Sequence, residues 1–274
     1  MPEKFLTSLD GLFLYHQRLA AFKWLIHAFS LRRDPLNGKE MSLGFNGYQP
    51  REVVEGNRQK LIQSVCKKNM PLITLRQVHS DIVFTVRSPL LVETAEEGDS
   101  LITNEADFLI AVQTADCLPV LLVDPDKRAV ASVHAGWRGI LRQIVQKTLT
   151  LMQRQYSTNP WDCVAVIGPS IRECCYEVGE DVIEAFVREF DYAPDLFHRS
   201  QLGSEKAQKR FLDLPAACRR QLLDGGLDAE NVFTNAPCTT CNINRLFSHR
   251  GESGKTGRMM AVIGITGETP QSSR

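Results

Sequence analysis

Residues 109–139 read LIAVQTADCLPVLLVDPDKRAVASVHAGWRG, and the apolar runs in this stretch decide the fold. The runs at 109–113, 120–123 and 129–133 are rich in valine, leucine and isoleucine, a composition typical of short buried strands. Residues 124–128, between the last two runs, combine two aspartates and a proline with two basic residues, which favours a hairpin turn. The stretch therefore predicts a β-hairpin preceded by a further strand.

Outward from this hairpin, the spacing of apolar residues predicts the remaining elements. Helical spacing predicts helices at 51–69, 140–156, 181–189 and 215–223, whereas short apolar runs predict strands at 72–75, 82–86, 164–167 and 259–265. Residues 31–50 are rich in turn formers and predict a long loop. Because strands and helices mix without a regular βαβ order, we expect an α+β fold. No linker or repeat is evident, so we expect a single domain over residues 1–274.

Composition narrows the classes of function. Lysine plus arginine number 32, as do aspartate plus glutamate, so the formal net charge is zero and nothing points to nucleic acid or an anionic membrane. No uncharged run approaches the roughly 20 residues that span a bilayer, and no secretory signal is evident. We expect a soluble, cytoplasmic protein. Its 8 cysteines are then expected to be buried thiols or metal ligands rather than a disulfide scaffold.

The hairpin brings two metal-binding residue types onto one face. If Asp124 faces Ala129 across the turn, Pro119 faces His134, and Cys117 lies two residues from Pro119 and points to the same side. A second register, in which Cys117 lies directly opposite His134, would also put the two on one face. His79 lies between two predicted strands, where a loop can present it. One thiolate and two imidazoles are the ligand set of an open zinc site.

Other interpretations of these residues stay open. Cys117 can be a packed core thiol and His134 a satisfied strand-end histidine. Without metal, a cysteine and a histidine can also act as a nucleophile and its base in a hydrolase, with Asp116 or another carboxylate orienting the histidine.

Further residues indicate an anion pocket. Gly136-Trp137-Arg138-Gly139 leads into the helix predicted at 140–156, and a helix start beside an arginine favours an anion. Residues 248–258 are glycine-rich and basic but lack the P-loop spacing, so they predict either a solvated loop or a contact to phosphate or sugar. His27 and His249 are candidates for lining a pocket.

The remaining cysteines predict less. Cys238 and Cys241 form a C-x-x-C pair, but no second C-x-x-C completes a four-thiolate site, so a structural or incidental role is expected. Cys174 and Cys175 are adjacent in a predicted loop and are interpreted as incidental.

Several motifs make the chain resemble the YfiH-type family, also described as the laccase-domain, polyphenol oxidase or peptidoglycan editing factor family. They are RQVH (76–79), DSLIT (99–103), TADCLPVLL (114–122), HAGWRG (134–139), IGPSI (167–171), YEVG (176–179) and TGR (256–258). The resemblance runs from about His27 to the C-terminus. Departures at residues 29–32, 42–44 and 250–251 fall in segments expected to shape substrate preference.

The resemblance implies a fold and an activity. It implies two packed mixed β-sheets flanked by helices, usually in a monomer, with His79, Cys117 and His134 as ligands of Zn2+. It also implies phosphorolysis of adenosine, inosine, guanosine and methylthioadenosine, together with adenosine deamination. Editing of peptidoglycan precursors is the alternative role.

Two carboxylates and three arginines are the candidates for the chemistry. Asp116 and Glu177 are expected to shuttle protons, and Cys117 is expected to act at the catalytic centre. Arg138 is the first candidate for phosphate binding, with Arg250 and Arg258 second. A multicopper laccase is not expected, because the chain has 6 histidines and no H-x-H pair to bridge copper centres.

Overall fold

The apolar runs of the sequence become the central strands of two sheets in a computed structural model, which describes residues 4–66, 69–88, 96–199 and 209–267. The α-helices within these ranges are α1 (Gln17–Ala20), α2 (Arg51–Cys66), α3 (Trp137–Leu141), α4 (Ile144–Tyr156), α5 (Glu180–Glu189) and α6 (Leu214–Asp224). The strands are β1 (Phe5–Thr7), β2 (Phe13–His16), β3 (Leu25–Ser30), β4 (Leu72–Thr74), β5 (Val83–Thr85), β6 (Ser100–Thr103), β7 (Leu109–Thr114), β8 (Leu118–Asp124), β9 (Ala129–Ala135), β10 (Val164–Ile167), β11 (Glu177–Val178), β12 (Phe197–Arg199), β13 (Arg210–Leu212), β14 (Val232–Phe233) and β15 (Met259–Ile265).

Two mixed sheets form the centre of the molecule. The first sheet has the strand order β1-β2-β3-β15-β7-β4, and the second has the order β14-β10-β8-β9-β6-β5. Most neighbours are antiparallel, but β4 runs parallel to β7, β5 to β6 and β14 to β10. Strands β11, β13 and β12 form a small third sheet. The described part of the chain confirms the α+β class and the two packed mixed sheets.

Alternation along the strands explains the layering. In β8, Leu121 and Val123 join the core between the sheets, whereas Leu118, Val120 and Leu122 pack on the opposite side. That opposite side is covered by residues of α3, α4, α5 and α6. On the far side of the first sheet, Leu61 and Ile62 of α2 pack against β7 and β15. Since both faces of both sheets are covered, their strands consist of nearly continuous apolar runs.

The predicted hairpin register is confirmed. Asp124 lies opposite Ala129 and Pro119 lies opposite His134. Asp124 Oδ1 accepts hydrogen bonds from the backbone amides of Asp126 and Lys127, both at 3.0 Å, which stabilises the turn. His134 consequently shares the strand face of Val130, which belongs to the core between the sheets.

Two connections cross between the sheets near one another. Residues 115–117 join β7 of the first sheet to β8 of the second, and residues 75–82 join β4 of the first to β5 of the second. Cys117 ends the first connection and His79 lies within the second. Both side chains are therefore delivered to the seam between the sheets, close to the end of β9 where His134 lies.

The structure corrects several elements expected from sequence. Helix 140–156 is divided, because Gln143 adopts a left-handed conformation (φ 60°) between α3 and α4. The predicted helix at 51–69 ends as α2 at Cys66; residues 67–68 lie outside the described residues. Eight strands were missed, most of them short or at sheet edges: β1, β2, β3, β6, β11, β12, β13 and β14. No helix among the described residues is long and apolar enough to cross a membrane.

Candidate metal centre and cavity

His79, Cys117 and His134 converge at the seam between the two sheets. One ligand atom of each lies within 4.8 Å of the others, and Cys117 Sγ is 3.9 Å from His79 Nε2. The two imidazole rings meet edge to face with their centroids 4.9 Å apart. The three residues thus present one sulfur and two nitrogens to a common point, with the spacing that a single bound metal ion requires.

Asp99 orients two of these ligands at once. Its carboxylate, which is fully buried, accepts a hydrogen bond of 2.7 Å from His134 Nδ1, which leaves Nε2 of that ring to face the thiol. It also accepts hydrogen bonds from the backbone amides of Val78, His79 and Ser80 and from the Ser80 hydroxyl. A carboxylate behind a ligating histidine is the usual outer support of a metal site.

The backbone around His79 is shaped for this purpose. His79 adopts a left-handed conformation with φ 57°, which is uncommon for a residue with a side chain. The amides held by Asp99 stabilise that conformation on one side. On the other, the Gln77 side-chain amide donates a hydrogen bond of 2.8 Å to the Gln113 carbonyl and accepts one of 2.7 Å from the Gln113 backbone amide. The loop is thereby fastened to β7.

Gly136 allows the ligands to approach the start of α3. A Cβ atom at this position would lie 3.0 Å from Cys117 Sγ and 3.1 Å from the Cδ2 atom of His79. The backbone of Gly136 has φ −74°, so its conformation alone does not require glycine. The requirement comes from the two ligand side chains that pack over it.

Mutual electrostatics favour a thiolate beside a cationic imidazole. Burial would raise the pKa of the Cys117 thiol, but the charge of His134 and hydrogen bonds from His134 and His79 outweigh it and lower the pKa to about 6. Burial opposes a charge on His134, yet Cys117 and Asp99 together raise its pKa to about 9. The pKa of Asp99 falls to about 2, because hydrogen bonds from His134 and Ser80 outweigh the cost of burial. The Cys117 thiolate and the Asp99 carboxylate therefore both carry a negative charge at neutral pH.

The donor set suits a catalytic metal ion rather than a structural one. A thiolate and two imidazoles match the ligand preferences of zinc and of neighbouring transition metals. Three protein ligands leave a coordination position for water or substrate. The three side chains also line a cavity, so that position faces space that a substrate can occupy.

The cavity has a volume of about 650 Å³, within the range of small-molecule sites. Its wall comes from both sheets and from the loops around them. The lining residues other than the three ligands are Phe45, Asn46, Arg58, Thr74, Leu75, Arg76, Gln77, Gln113, Thr114, Ala115, Asp116, Ile171, Tyr176, His249, Arg250 and Arg258.

The lining is strongly positive. Four arginines lie in the wall against one carboxylate, that of Asp116. Arg76 forms an ion pair with Glu97. The other three donate to backbone carbonyls instead: Arg58 to Leu43, Arg250 to Glu177, and Arg258 to Thr256 and Gly257. Carbonyl oxygens orient a guanidinium without neutralising it, so these three arginines favour an anion in the cavity.

The structure brings only some of the predicted site residues together. Asp116, Arg250 and Arg258 line the cavity with the three ligands. Arg138 is exposed, with its guanidinium 4.2 Å from the ring centroid of its neighbour Trp137, and is absent from the lining. Glu177 is also absent from the lining, and its carboxylate pairs with Lys209 at 2.8 Å.

Asp116 connects the ligand loop to a second loop. Its Oδ1 accepts hydrogen bonds from the hydroxyls of Thr239 and Ser248, and its Oδ2 accepts one of 2.6 Å from the backbone amide of Arg250. Asp116 has φ 88°, so this residue turns the chain just before Cys117. The carboxylate therefore positions Arg250 as well as facing the cavity.

Of the two histidines expected in a pocket, only one lies there. His249 lines the cavity. His27 lies instead in β3, where its Nε2 accepts a hydrogen bond of 3.0 Å from the backbone amide of His16.

Sequence analysis missed three important residues, Asp99, Arg58 and Tyr176. The role of Asp99 depends on contacts with residues 20 and 35 positions away. Arg58 is directed inward by its bond to Leu43 and stacks 4.2 Å from the ring centroid of Phe45, a contact that helical periodicity does not reveal. Tyr176 lies in a motif that the sequence displayed, but nothing local distinguishes it from its neighbours. The only sequence signal for Asp99 and Tyr176 was their place in the motifs DSLIT and YEVG, and Arg58 had no such signal.

The structure brings Cys174 and Cys175, which the sequence analysis interpreted as incidental, together with the C-x-x-C pair. The sulfur atoms of Cys174, Cys175, Cys238 and Cys241 all lie within 4.8 Å of one another. The adjacent pair supplies what a second C-x-x-C would have supplied. A search for repeated C-x-x-C motifs could not find this, because the two pairs are more than 60 residues apart in the chain.

Comparison with known proteins places this geometry in a family. Residues 27–266 match the family described as multi-copper polyphenol oxidoreductase laccase. A protein of Bacteroides thetaiotaomicron named "Purine nucleoside phosphorylase" is 31% identical over 266 residues, which cover 93% of this chain and 97% of the relative. "Adenosine deaminase RL5" of an unknown prokaryotic organism is 32% identical over 250 residues, covering 87% and 93%.

The fold has a close match among solved structures. The crystal structure of a hypothetical protein YfiH from Bacillus licheniformis superposes with a TM-score of 0.84 at 26% identity, over 96% of this chain and 99% of that one. The six histidines do not form the clusters of a multicopper oxidase. His79 and His134 meet at the candidate centre, His16 and His27 meet at β2 and β3, His198 lies in β12, and His249 lines the cavity from a turn without joining the three-residue ligand group.

Proposed function

Because this chain belongs to the family described as multi-copper polyphenol oxidoreductase laccase, with a relative named purine nucleoside phosphorylase, we propose that it is a zinc-dependent purine nucleoside phosphorylase. The proposed substrates are adenosine, inosine, guanosine and methylthioadenosine, each with inorganic phosphate. The observation that carries the proposal is a cavity with a Cys/His metal-ligand set and three arginines that donate to backbone carbonyls. A metal centre and an anion site in one cavity suit a reaction between a nucleoside and phosphate.

The residues of the proposed metal site fit zinc. A bound zinc ion would supply Lewis-acid chemistry at the open coordination position. Cys117 is already disposed to be a thiolate by the two imidazoles, so the loss of a proton on binding would fall mainly on His134. Asp99 fixes the tautomer of His134 and the loop of His79, so the ligands are preorganised.

Arg250 and Arg258 are the proposed phosphate-binding residues. Both line the cavity with the metal ligands, and their carbonyl contacts fix the direction of each guanidinium. Arg138, the first candidate from sequence, is exposed beside Trp137, so the two cavity arginines take precedence. Two planar guanidinium groups can hold phosphate through paired hydrogen bonds.

Other residues of the lining suit a purine. Phe45 and Arg58 offer an aromatic ring and a guanidinium plane, both of which stack on nucleobases. Burial strongly raises the pKa of the Tyr176 phenol, with the charge of Cys117 adding to the effect and those of Arg250 and Arg138 opposing it. Tyr176 therefore stays protonated and can donate a hydrogen bond to the nucleoside.

The proposed reaction is a displacement at the ribose C1′. A phosphate oxygen forms a bond to C1′ while the C1′–N9 bond breaks, and its electron pair goes to the purine. The leaving purine takes up a proton, which an acid must supply. Asp116 and Glu177 remain the proposed acid/base residues. Asp116 has the stronger support, because it lines the cavity whereas Glu177 pairs with Lys209.

A second activity at the same site is adenosine deamination. It is supported by the relative named adenosine deaminase. In this reaction water adds to purine C6, the C6–N6 bond breaks, and ammonia leaves with a proton. The same metal ligands and the same purine-binding wall would serve both reactions, with water in place of phosphate.

One further observation favours a competing function. Cys117, His134 and Asp99 form a continuous series of thiol, imidazole and buried carboxylate, the arrangement of a cysteine hydrolase. Such an enzyme would work without metal. Its activity would survive chelation and disappear when Cys117 is alkylated.

The deciding experiment measures metal and products together. Purified protein is assayed with adenosine with and without phosphate, and adenine, inosine and hypoxanthine are resolved by chromatography. We expect phosphate-dependent adenine, inhibition by chelator and recovery with zinc. His79→Ala should abolish turnover, whereas His198→Ala, an exposed histidine in β12, should leave it unchanged. Turnover that persists after chelation, or no turnover of any nucleoside, would contradict the proposal.

A further inference from the structure

A cluster of four sulfur atoms lies outside the cavity and comes from Cys174, Cys175, Cys238 and Cys241. Cys175 Sγ is 3.4 Å and Cys174 Sγ is 3.6 Å from Cys241 Sγ, and the four sulfurs lie within 4.8 Å of one another. All four are free thiols. None of them belongs to the cavity lining. Four thiols so close together require a chemical explanation, because packing alone seldom gathers them.

The spacing matches four thiolates around one metal ion. A tetrahedral site with metal–sulfur bonds of about 2.3 Å has sulfur–sulfur distances of about 3.8 Å. The two distances from Cys241 are slightly shorter than this, and the 4.8 Å limit on the whole group leaves room for the ion at its centre. A disulfide would instead require one pair at about 2.05 Å.

Backbone amides are also directed at the cluster. The amides of Cys241 and Arg172 donate hydrogen bonds to the sulfur of Cys238, which is the buried member of the group. Hydrogen bonds of this kind stabilise a negatively charged sulfur. They act in the direction that metal binding requires, since a thiol must lose its proton to become a ligand.

The closeness of the four sulfurs also favours a cation among them. Four thiolates cannot coexist at this separation without a cation among them. A divalent ion removes that penalty, so it would couple proton release to binding.

We propose that Cys174, Cys175, Cys238 and Cys241 bind a second metal ion as a closed tetrathiolate site, with zinc as the expected ion. Four protein ligands leave no position for substrate, so the role is structural. This proposal does not rest on the proposed function, because neither the ligands nor the ion take part in it.

The second ion would join two loops that both border the cavity. Cys174 and Cys175 follow Ile171 and precede Tyr176, which are lining residues. Cys238 and Cys241 flank Thr239, whose hydroxyl donates to Asp116 and whose backbone amide donates to Ser170. The ion would add a cross-link to the hydrogen bonds that already join these two loops. The ion would stabilise the wall that carries Tyr176 and, through Asp116, the position of Arg250.

The test counts metal ions in full-length protein. Metal per chain is measured by mass spectrometry of the element in wild type, His79→Ala, Cys241→Ser and the double variant. We expect about 2, 1, 1 and 0 ions per chain, according to the ligand sets at the two sites. Cys66→Ser, a change outside both sulfur-containing groups, is the matched control and should retain the wild-type content.

The coordination shell gives a second readout that does not depend on the folding of a cysteine variant. X-ray absorption of His79→Ala should show only sulfur neighbours, at about 2.3 Å. The same measurement distinguishes zinc from iron by the absorption edge. Nitrogen neighbours in that variant would overturn the assignment.

Two outcomes would refute the second site. The first is one ion per chain in wild type and none in His79→Ala. The second is a disulfide among the four cysteines in metal-replete wild type, detected by mapping after alkylation without reductant. If His79→Ala keeps as much metal per chain as the wild type while Cys241→Ser loses it, the tetrathiolate site is supported. The metal ion of the proposed function is then contradicted instead.

Discussion

At the scale of single residues, the candidate centre depends on side chains that are not themselves ligands. Asp99 accepts five hydrogen bonds, one from His134 and the others from the loop of His79. Gly136 supplies the space in which Cys117 and His79 approach each other. Neither residue would be chosen as a metal ligand, yet each determines whether the ligands can meet.

Asp99→Asn should weaken metal binding without removing a ligand. The amide nitrogen cannot accept the hydrogen bonds that one carboxylate oxygen accepts, so His134 or the His79 loop loses its support. We expect metal affinity to fall by about 10- to 100-fold, measured by competition with a chromophoric chelator. Asp124→Asn is the matched control, because Asp124 is equally buried but serves the distant hairpin turn. A similar loss of affinity in both variants would contradict the role assigned to Asp99.

Gly136→Ala should push the ligand side chains apart by steric contact, without removing a ligand. The new methyl group would meet Cys117 Sγ and the His79 ring at 3.0 and 3.1 Å, closer than ordinary contact. Overpacking of this kind costs about 1–3 kcal/mol, so we expect metal affinity to fall by about tenfold. Gly56→Ala in α2, where nothing lies within 4 Å, should raise the free energy of unfolding by up to about 1 kcal/mol. Unchanged affinity in Gly136→Ala would show that the ligands can move aside.

At the scale of elements, the alternation of side chains along β8 and β9 determines which residues can meet at the metal centre. The predicted register of β8 and β9 put Cys117 and His134 on one side of the hairpin, and the structure has that register.

Near the other end of the first sheet, His16 of β2 and His27 of β3 are buried together. Burial lowers the pKa of His16 to about 4. Burial, with the charge of His16, lowers that of His27 to about 4 against the hydrogen bond it accepts.

Acid should therefore destabilise this edge before it protonates most carboxylates. Because the folded pKa of each histidine lies below the unfolded value of about 6.5, its contribution is fully present above pH 6.5 and is lost as the pH falls towards 4. We expect the free energy of unfolding to drop by about 1–2 kcal/mol per histidine between pH 7 and pH 5. The measurement is urea unfolding as a function of pH.

The control for this pH dependence replaces both imidazoles. His16→Phe suits a ring that already contacts Phe5 and Phe233, and His27→Gln retains an acceptor for the backbone amide of His16. The double variant should lose less stability between pH 7 and pH 5 than the wild type. An equal loss would assign the acid sensitivity to other groups, including those of the metal centre.

At the scale of the whole molecule, the two sheets approach each other closely beside the site. Gly168 follows β10 of the second sheet, and a Cβ atom there would lie 2.2 Å from the ring of Phe29 in β3 of the first. It would also lie 3.0 Å from Pro119, the residue opposite His134. The distance between the sheets is therefore matched to a residue without a side chain, close to the ligands.

Gly168→Ala should force the sheets apart or displace Phe29. Because neither sheet can move freely, we expect the free energy of unfolding to fall by about 3 kcal/mol, measured as a shift of the urea midpoint. Phe29→Leu removes part of the opposing ring. The double variant should thus be less destabilised than the sum of the two single changes. Strict additivity would mean that the added methyl group does not meet Phe29.

The sequence determined the local features of this protein. Apolar runs and turn residues predicted the hairpin, its register and most of the central strands, because strand period and turn chemistry depend on near neighbours. The hairpin face and the family resemblance together indicated His79, Cys117 and His134, which the structure brings within reach of one metal ion.

Only the tertiary structure decided which distant segments meet. It placed Asp99 behind two ligands, directed Arg58 into the cavity and gathered Cys174 and Cys175 with Cys238 and Cys241. It also divided the helix predicted at 140–156 and placed short edge strands that lack a clear pattern. The physical reason is that these contacts depend on how two sheets pack and where their crossing loops end. Residues separated by tens of positions carry no local signal of that arrangement.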